Sequence, residues 1–287
     1  MQSNNPVFRN SDEFKPGYNA YGNATYAGNG ATHSGYGSDP STWGVGQRGS
    51  YGLQDTRATG GPMTVDAVVQ KTAISLIVVI AAAVATWVLT PALDTEQGLS
   101  AVYTAAVVGS LGAFVLSMVN SFKKLISPAL VIVFAGLQGM ALGALSKTFD
   151  AQFGDGVITG AVLGTFAAFA GTLAAYKFFN IRVTNRFRQI VTAAVLGMVA
   201  LSLMEFVLGL FGNSLGLFGV SGLGMITAVI GLGLGVAMLI TDFDFVEQGV
   251  RNALPERESW RAAFALTVSL VWIYINLLRI LSYFRSN

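Results

Sequence analysis

The chain contains no cysteine, which excludes disulfide frameworks, thiolate catalysis and thiol metal sites. Its one histidine, His33, lies in a polar N-terminal stretch, so neither a histidine-based triad nor a histidine-rich metal site is available. Charge is scarce as well. Only 11% of the 287 residues are Asp, Glu, Lys or Arg, against about 25% in a soluble domain. A chain so poor in charge cannot coat a water-facing surface of normal size. The formal net charge of +2 gives no footing for nucleic-acid binding. What the chain has instead is apolar surface: 53% hydrophobic residues and a mean hydropathy of +0.57. This is the composition of an integral membrane protein, and apolar stretches of helix-spanning length make it an all-α one.

Residues 1–62 differ from everything after them. They hold 12 of the 34 glycines, six asparagines, six serines and five tyrosines, with almost no Leu, Ile or Val. Such a segment buries too little apolar area to offset chain entropy, so it reads as a disordered tail. Its Tyr/Gly phrases, GYNAYGNATYAGNG and HSGYGS, have the character of association-prone low-complexity sequence. No apolar run of signal-peptide length follows Met1, so a cleaved secretory signal is not expected.

Beyond Pro62 the pattern changes at once. A bilayer core of ~30 Å needs about 20 apolar residues as helix. Seven such stretches are present, at about 72–90, 100–119, 128–146, 157–176, 190–212, 222–241 and 262–284. Together they predict a seven-transmembrane-helix bundle over 63–287. Thr64 is a natural N-cap, with Asp66 in the first turn where the helix dipole favours negative charge. Ser127 before Pro128 places a capping hydroxyl ahead of a proline at the first helical position. Small residues at four-residue spacing (Gly139/Gly143, Gly156/Gly160/Gly164, Gly231/Gly235) let backbones approach closely, as packing in lipid requires. With the N-terminus inside, 14 of the 17 Lys and Arg fall on cytoplasmic segments, and Lys147, Arg279 and Arg285 fall opposite. The positive-inside rule then predicts a cytoplasmic N-terminus and an outer C-terminus, in the cell membrane.

An ionisable residue inside hydrocarbon costs ~2.5–3.5 kcal/mol even on lenient scales, so each one is a functional candidate. Glu205 and Arg279 fall late in the fifth and seventh spans, at similar depth. Their ion pair is one expectation; the other has Arg279 snorkelling outward and Glu205 facing a wet cavity. Asp242, Asp244 and Glu247 cluster at the inner end of the sixth span. Asp244 and Glu247, at i and i+3, can share a face, whereas Asp242 and Asp244 point about 200° apart on a continuing helix. The sixth and seventh spans are antiparallel, and the midpoint of positions 242 and 276 is 259, inside the polar PERESWR link. Asn276 is therefore expected to come level with Asp242. A carboxylate facing an amide is the arrangement of a proton-sensitive latch, or half of a hard-oxygen cation site suited to Ca2+. The alternative is that Asp242 and Asp244 end the helix in interfacial water.

The region 62–287 resembles the Bax inhibitor-1 (YccA-like) family, and an actinobacterial-type branch in particular. The opening MQSNNPVF and the stretch DFDFVEQGVR before the last span carry the likeness. The resemblance implies a seven-span bundle and a pH-sensitive calcium leak that uses two proton-sharing aspartates. The matching position in the sixth span is Asp242, or Asp244 if the register slips by two. In the seventh span the family pattern reads like Leu-Tyr-Leu-Asp, and this chain has Ile273-Tyr274-Ile275-Asn276. An amide cannot share a titrating proton, so a coupled dicarboxylate is not available there. The family's basic partner has its nearest candidates in Lys123 and Lys124, which equally satisfy the positive-inside rule.

The leading expectation is a cation leak channel or ion-homeostasis protein, with Ca2+ as permeant ion and no cofactor. The alternative is a regulatory adaptor that engages a membrane protease or stress machinery through its tail and loops. A secondary transporter ranks last, because no pair of Pro-interrupted spans occurs. An intramembrane hydrolase would need a base beside its nucleophile, and no His or Lys lies in mid-span, so no enzymatic activity is expected.

Overall fold

The computed structural model describes residues 61–286 apart from Asp155, Asn180 and Ser214. The expected disordered tail, and His33 with it, lies outside the described residues save for Gly61 and Pro62. Seven helices follow one another: α1 Val65–Leu89, α2 Glu96–Phe122, α3 Pro128–Phe153, α4 Val157–Phe178, α5 Asn185–Leu210, α6 Gly222–Arg251 and α7 Glu258–Ser286. All seven are long and apolar enough to cross a bilayer. Each contains its predicted span almost entirely, and most run several residues further.

The helix starts show how local sequence sets these limits. Thr64 caps α1 by accepting from the Ala67 N–H, with Asp66 in the first turn. Thr95, Thr184 and Ser221 cap α2, α5 and α6 in the same way. Ser127 departs from expectation. It occupies the N-cap of α3, yet its side chain makes no capping hydrogen bond. There the proline at the first position supplies the helical φ and carries no N–H to satisfy.

α7 is the axis of the bundle. Of its apolar window 61% is buried, against 11% for α5, and it packs on α1, α3, α4 and α6. Leu239, Ile273 and Leu278 are wholly buried along it. In lipid such burial contributes through van der Waals contact and not through escape from water. Close approach of backbones is therefore decisive, and glycine provides it. A side chain at Gly139 or Gly143 would run into the backbone carbonyls of Val79 or Ala83 on α1. On α6, Gly231 and Gly235 make room for Asn276 and Ile273 of α7.

One end of the bundle is stitched together by hydrogen bonds. The α6–α7 link returns to the segment before α1 through Met63 N–H to the Leu254 carbonyl (2.7 Å) and Glu256 N–H to the Gly61 carbonyl (2.9 Å). Lys71 pairs with Glu256 at 2.9 Å. Arg257 Nε donates to the Ile126 carbonyl at 2.7 Å. At the other end, Lys147 Nζ donates to the Trp87 and Thr90 carbonyls and to Thr90 Oγ1, which closes the C-terminus of α1.

Candidate functional site

The acidic stretch does not end the sixth helix, which continues through Arg251, so its three carboxylates take helical bearings. Asp242 faces α7, where Ser269 Oγ donates to Oδ2 at 2.5 Å. Asp244 faces the opposite way and is 7% exposed. Arg188 of α5 donates to its Oδ2 at 2.7 Å, and Gln248 donates to the same oxygen at 2.6 Å. Glu247 accepts from the Tyr176 hydroxyl of α4 at 2.7 Å. One turn of α6 thus reaches three neighbouring helices. The predicted divergence of Asp242 and Asp244 is realised, since two steps of 100° set them on opposite faces.

Asp242 and Asn276 do not meet. Asn276 faces Gly231, where an added Cβ would collide with its amide. Position 231 lies eleven residues from position 242, about 16 Å along the axis at 1.5 Å per residue. The cause is the position at which the chain reverses. With α6 ending at Arg251 and α7 starting at Glu258, the reversal centres near 254–255, not 259, and Asp242 comes level with Ser269. The amide is engaged elsewhere: Asn276 Nδ2 donates to the Trp272 carbonyl at 2.8 Å, and Oδ1 accepts from Arg279 Nη1 at 3.3 Å. The paired Ca2+ ligand set of Asp242 and Asn276 is therefore not formed. Among the described residues, no three His, Cys, Asp or Glu side chains gather as a metal site.

Glu205 and Arg279 lie at one level, as predicted, but they do not pair. Both grip the segment between α5 and α6. Glu205 accepts the N–H groups of Leu215 (3.2 Å) and Gly216 (2.8 Å). Arg279 Nη2 donates to the carbonyls of Leu217 (3.2 Å) and Gly224 (3.1 Å) and to Thr227 Oγ1 (2.8 Å). The Phe218 ring lies 5.1 Å from the guanidinium. Irregular backbone at this depth has N–H and C=O groups that need partners, and the two charges supply them. Arg279 is 7% exposed, and its Nε has no hydrogen-bond partner among the described residues.

Lys123 and Lys124 are likewise not the basic partners of the aspartates. They lie on the α2–α3 link, where their backbone carbonyls accept from Arg261. The cation at the acidic turn is Arg188, which in the sequence counts only toward orientation. Its placement at the first turn of α5, level with the end of α6 across the bundle, is the signal that could have found it. Ser269 carries no signal of its own, since a lone serine in an apolar span reads as packing.

A seven-helix, multi-pass membrane bundle wrapped around its last helix, with carboxylates at one end of the sixth, defines the class of this protein. Residues 5–286 match the model of the Bax inhibitor 1 like family, and the chain belongs to that family. The match starts at residue 5, so it takes in nearly all of the tail as well as the region that carries the resemblance. No curated protein matches the chain.

Proposed function

We propose that this protein is a cation leak channel or ion-homeostasis protein of the cell membrane. Ca2+ is the permeant ion, the N-terminus is cytoplasmic, and the protein has neither enzymatic activity nor a cofactor. The observation that carries the reading is the state of Asp242. Its neighbour Asp244 has a guanidinium partner, whereas the Asp242 carboxylate, half-buried between α6 and α7, is held by the Ser269 hydroxyl. A carboxylate with no basic partner among the described residues inside a membrane bundle is open to neutralisation by a hard cation or by a proton. A proton bound at Asp242 is not shared with position 276, which lies about 16 Å away along the helix. Leu239 and Ile273 are wholly buried in the seam beyond it, which fits a closed conformation.

The test is calcium entry into proteoliposomes at pH 6, 7 and 8 for the wild type, Asp242→Ala and Asp244→Asn. The reading expects flux that falls to the background of empty vesicles in Asp242→Ala. No flux above empty vesicles from folded wild-type protein would overturn it. One observation favours an adaptor acting on a membrane protease or stress machinery: residues 61–63 are hydrogen-bonded to the α6–α7 link, so a partner pulling on the tail would act on that link. Deleting residues 1–60 abolishes such a role and leaves a leak intact.

A further inference from the structure

α1 and α4 hardly touch each other, and between them lies a cavity of about 350 Å³ floored by α3 and α7. Its walls are apolar: Leu76, Ile80 and Val84 from α1, Val162 and Phe166 from α4, and Leu270 from α7. Several of these residues are also open to the outside of the bundle, Ile80 at 52% and Phe166 at 52% exposure, so the cavity is a groove with a lateral mouth. That mouth is continuous with the hydrocarbon-facing flanks of α1 and α4, where Ile77 and Leu163 are exposed. Only a membrane-soluble molecule reaches it.

The two ends of the groove differ. From Leu76 to Trp87 it follows eleven residues of α1, about 16 Å at 1.5 Å per residue, close to half of a ~30 Å hydrocarbon core. The end at Leu76, Phe166 and Leu270 falls mid-membrane. The end at Trp87 lies within one turn of the C-terminus of α1, where an interfacial tryptophan belongs. There the floor carries its only buried pair of hydroxyls among the described residues, Ser146 Oγ and Tyr274 Oη, 2.7 Å apart. Two hydroxyls bring two protons, and one proton makes the bond between them. The second has no protein acceptor among the described residues, although Ser146 is 7% and Tyr274 9% exposed. A buried donor facing an apolar groove calls for an acceptor brought by the occupant. Lys147 nearby is committed to the end of α1 through its three hydrogen bonds, so recognition is of a neutral acceptor and not of a phosphate.

We propose that this groove is a lipid site. It takes one acyl chain of a glycerolipid from the leaflet on the side of the α1–α2 turn, and the ester carbonyl of that chain accepts the spare hydroxyl proton of the Ser146–Tyr274 pair. The chain fills a space one leaflet deep, and the carbonyl sits where the bilayer places its esters.

Two probes test this on the full chain. The first is phosphatidylcholine carrying a diazirine in its acyl chain, incorporated into dioleoylphosphatidylcholine vesicles with the wild-type protein. Adducts mapped by mass spectrometry are expected to concentrate on groove residues such as Leu76 and Leu270; an even spread over Ile77, Leu163 and the outer faces of α2 and α5 overturns the site. The second compares retention of diacyl and dialkyl-ether phosphatidylcholine after detergent extraction, by native mass spectrometry. One hydrogen bond predicts a diacyl preference of about 2- to 10-fold in the wild type, lost in Ser146→Ala/Tyr274→Phe. Equal retention of the two lipids by the wild type overturns the carbonyl contact without any variant having to fold.

Discussion

Removing Arg188 should weaken the protein more than removing the charge it serves. Asp244 is nearly buried, with 10% of its side chain exposed, whereas 47% of the Arg188 side chain is open. An exposed ion pair contributes ~0.2–1 kcal/mol, and breaking a buried one by deleting a partner costs ~3–5 kcal/mol. This pair has one member in each regime. Arg188→Met strands a carboxylate with only Gln248 as donor, for an expected loss of about 2 kcal/mol, the buried figure discounted for the open flank. Asp244→Asn keeps the shape, and the arginine can turn to water, so about 1 kcal/mol is expected. With both changed, no charge is stranded, and the double variant should lose about 1.5 kcal/mol, roughly half the sum of the singles. The effect should be readable because α5 packs on α6 and little else, so few other contacts hold its first turn. The assay is SDS titration in mixed micelles followed by tryptophan fluorescence. Additive losses, or an unchanged midpoint in Arg188→Met, would refute the reasoning.

Gly143→Ala pushes a methyl group into the backbone of Ala83, which cannot give way as a side-chain tip can. A loss of about 1–3 kcal/mol is expected from such overpacking, seen as a lower midpoint in the same titration, whereas Gly136→Ala, with open space around it, should be neutral. Asn276→Asp puts a carboxylate beside Arg279, about 16 Å from the level of Asp242. Its effect on calcium flux should therefore combine multiplicatively with that of Asp242→Asn and depart from multiplicity with Arg279→Met. A proton shared between Asp242 and the new acid at position 276 would invert that double-mutant comparison.

The seven spans are legible in the sequence because hydrocarbon imposes one length and one composition on every crossing. The axial role of α7 is not, because enclosure depends on which helices gather round it. Small-residue spacing points to tight contacts without naming partners: Gly139 and Gly143 could face any neighbour, and only the fold sets them on α1. The acidic stretch shows the limit most clearly. Its charge reads equally as the end of the sixth helix or as faces of a continuing one; in the fold α6 continues, and Asp242, Asp244 and Glu247 each find a donor on a different helix. Pairing Asp242 with Asn276 requires the reversal at 259, four to five residues beyond its place near 254–255, and so names the wrong partner. Glu205 and Arg279 stand out in the sequence as misfits in lipid, and their common depth is as expected. Glu205 is partnered by backbone N–H groups of the α5–α6 segment and Arg279 by carbonyls of that segment and of the first turn of α6, with the side chains of Thr227 and Asn276; backbone groups carry no mark in the sequence.

The α6–α7 seam has a carboxylate toward one end and a guanidinium toward the other. Arg279 meets α6 at Gly224 and Thr227, so fifteen to eighteen residues, about 25 Å, separate the two levels along the helix. At that distance neither charge stabilises the other, and each depends on its own setting: a hydroxyl for Asp242, carbonyls and a ring face for Arg279. A cation released from Asp242 along this seam would have to pass wholly buried Leu239 and Ile273 and then approach a fixed positive charge. On the channel reading proposed above, one route displaces the α5–α6 segment together with Arg279, and another leaves the seam around α7, toward the side where Leu270 and Tyr274 floor the proposed lipid groove. On that reading the first route would make Arg279 the gate, and the second the occupant of the groove. Replacing Arg279 by methionine relieves only the first, so its effect on calcium flux distinguishes them.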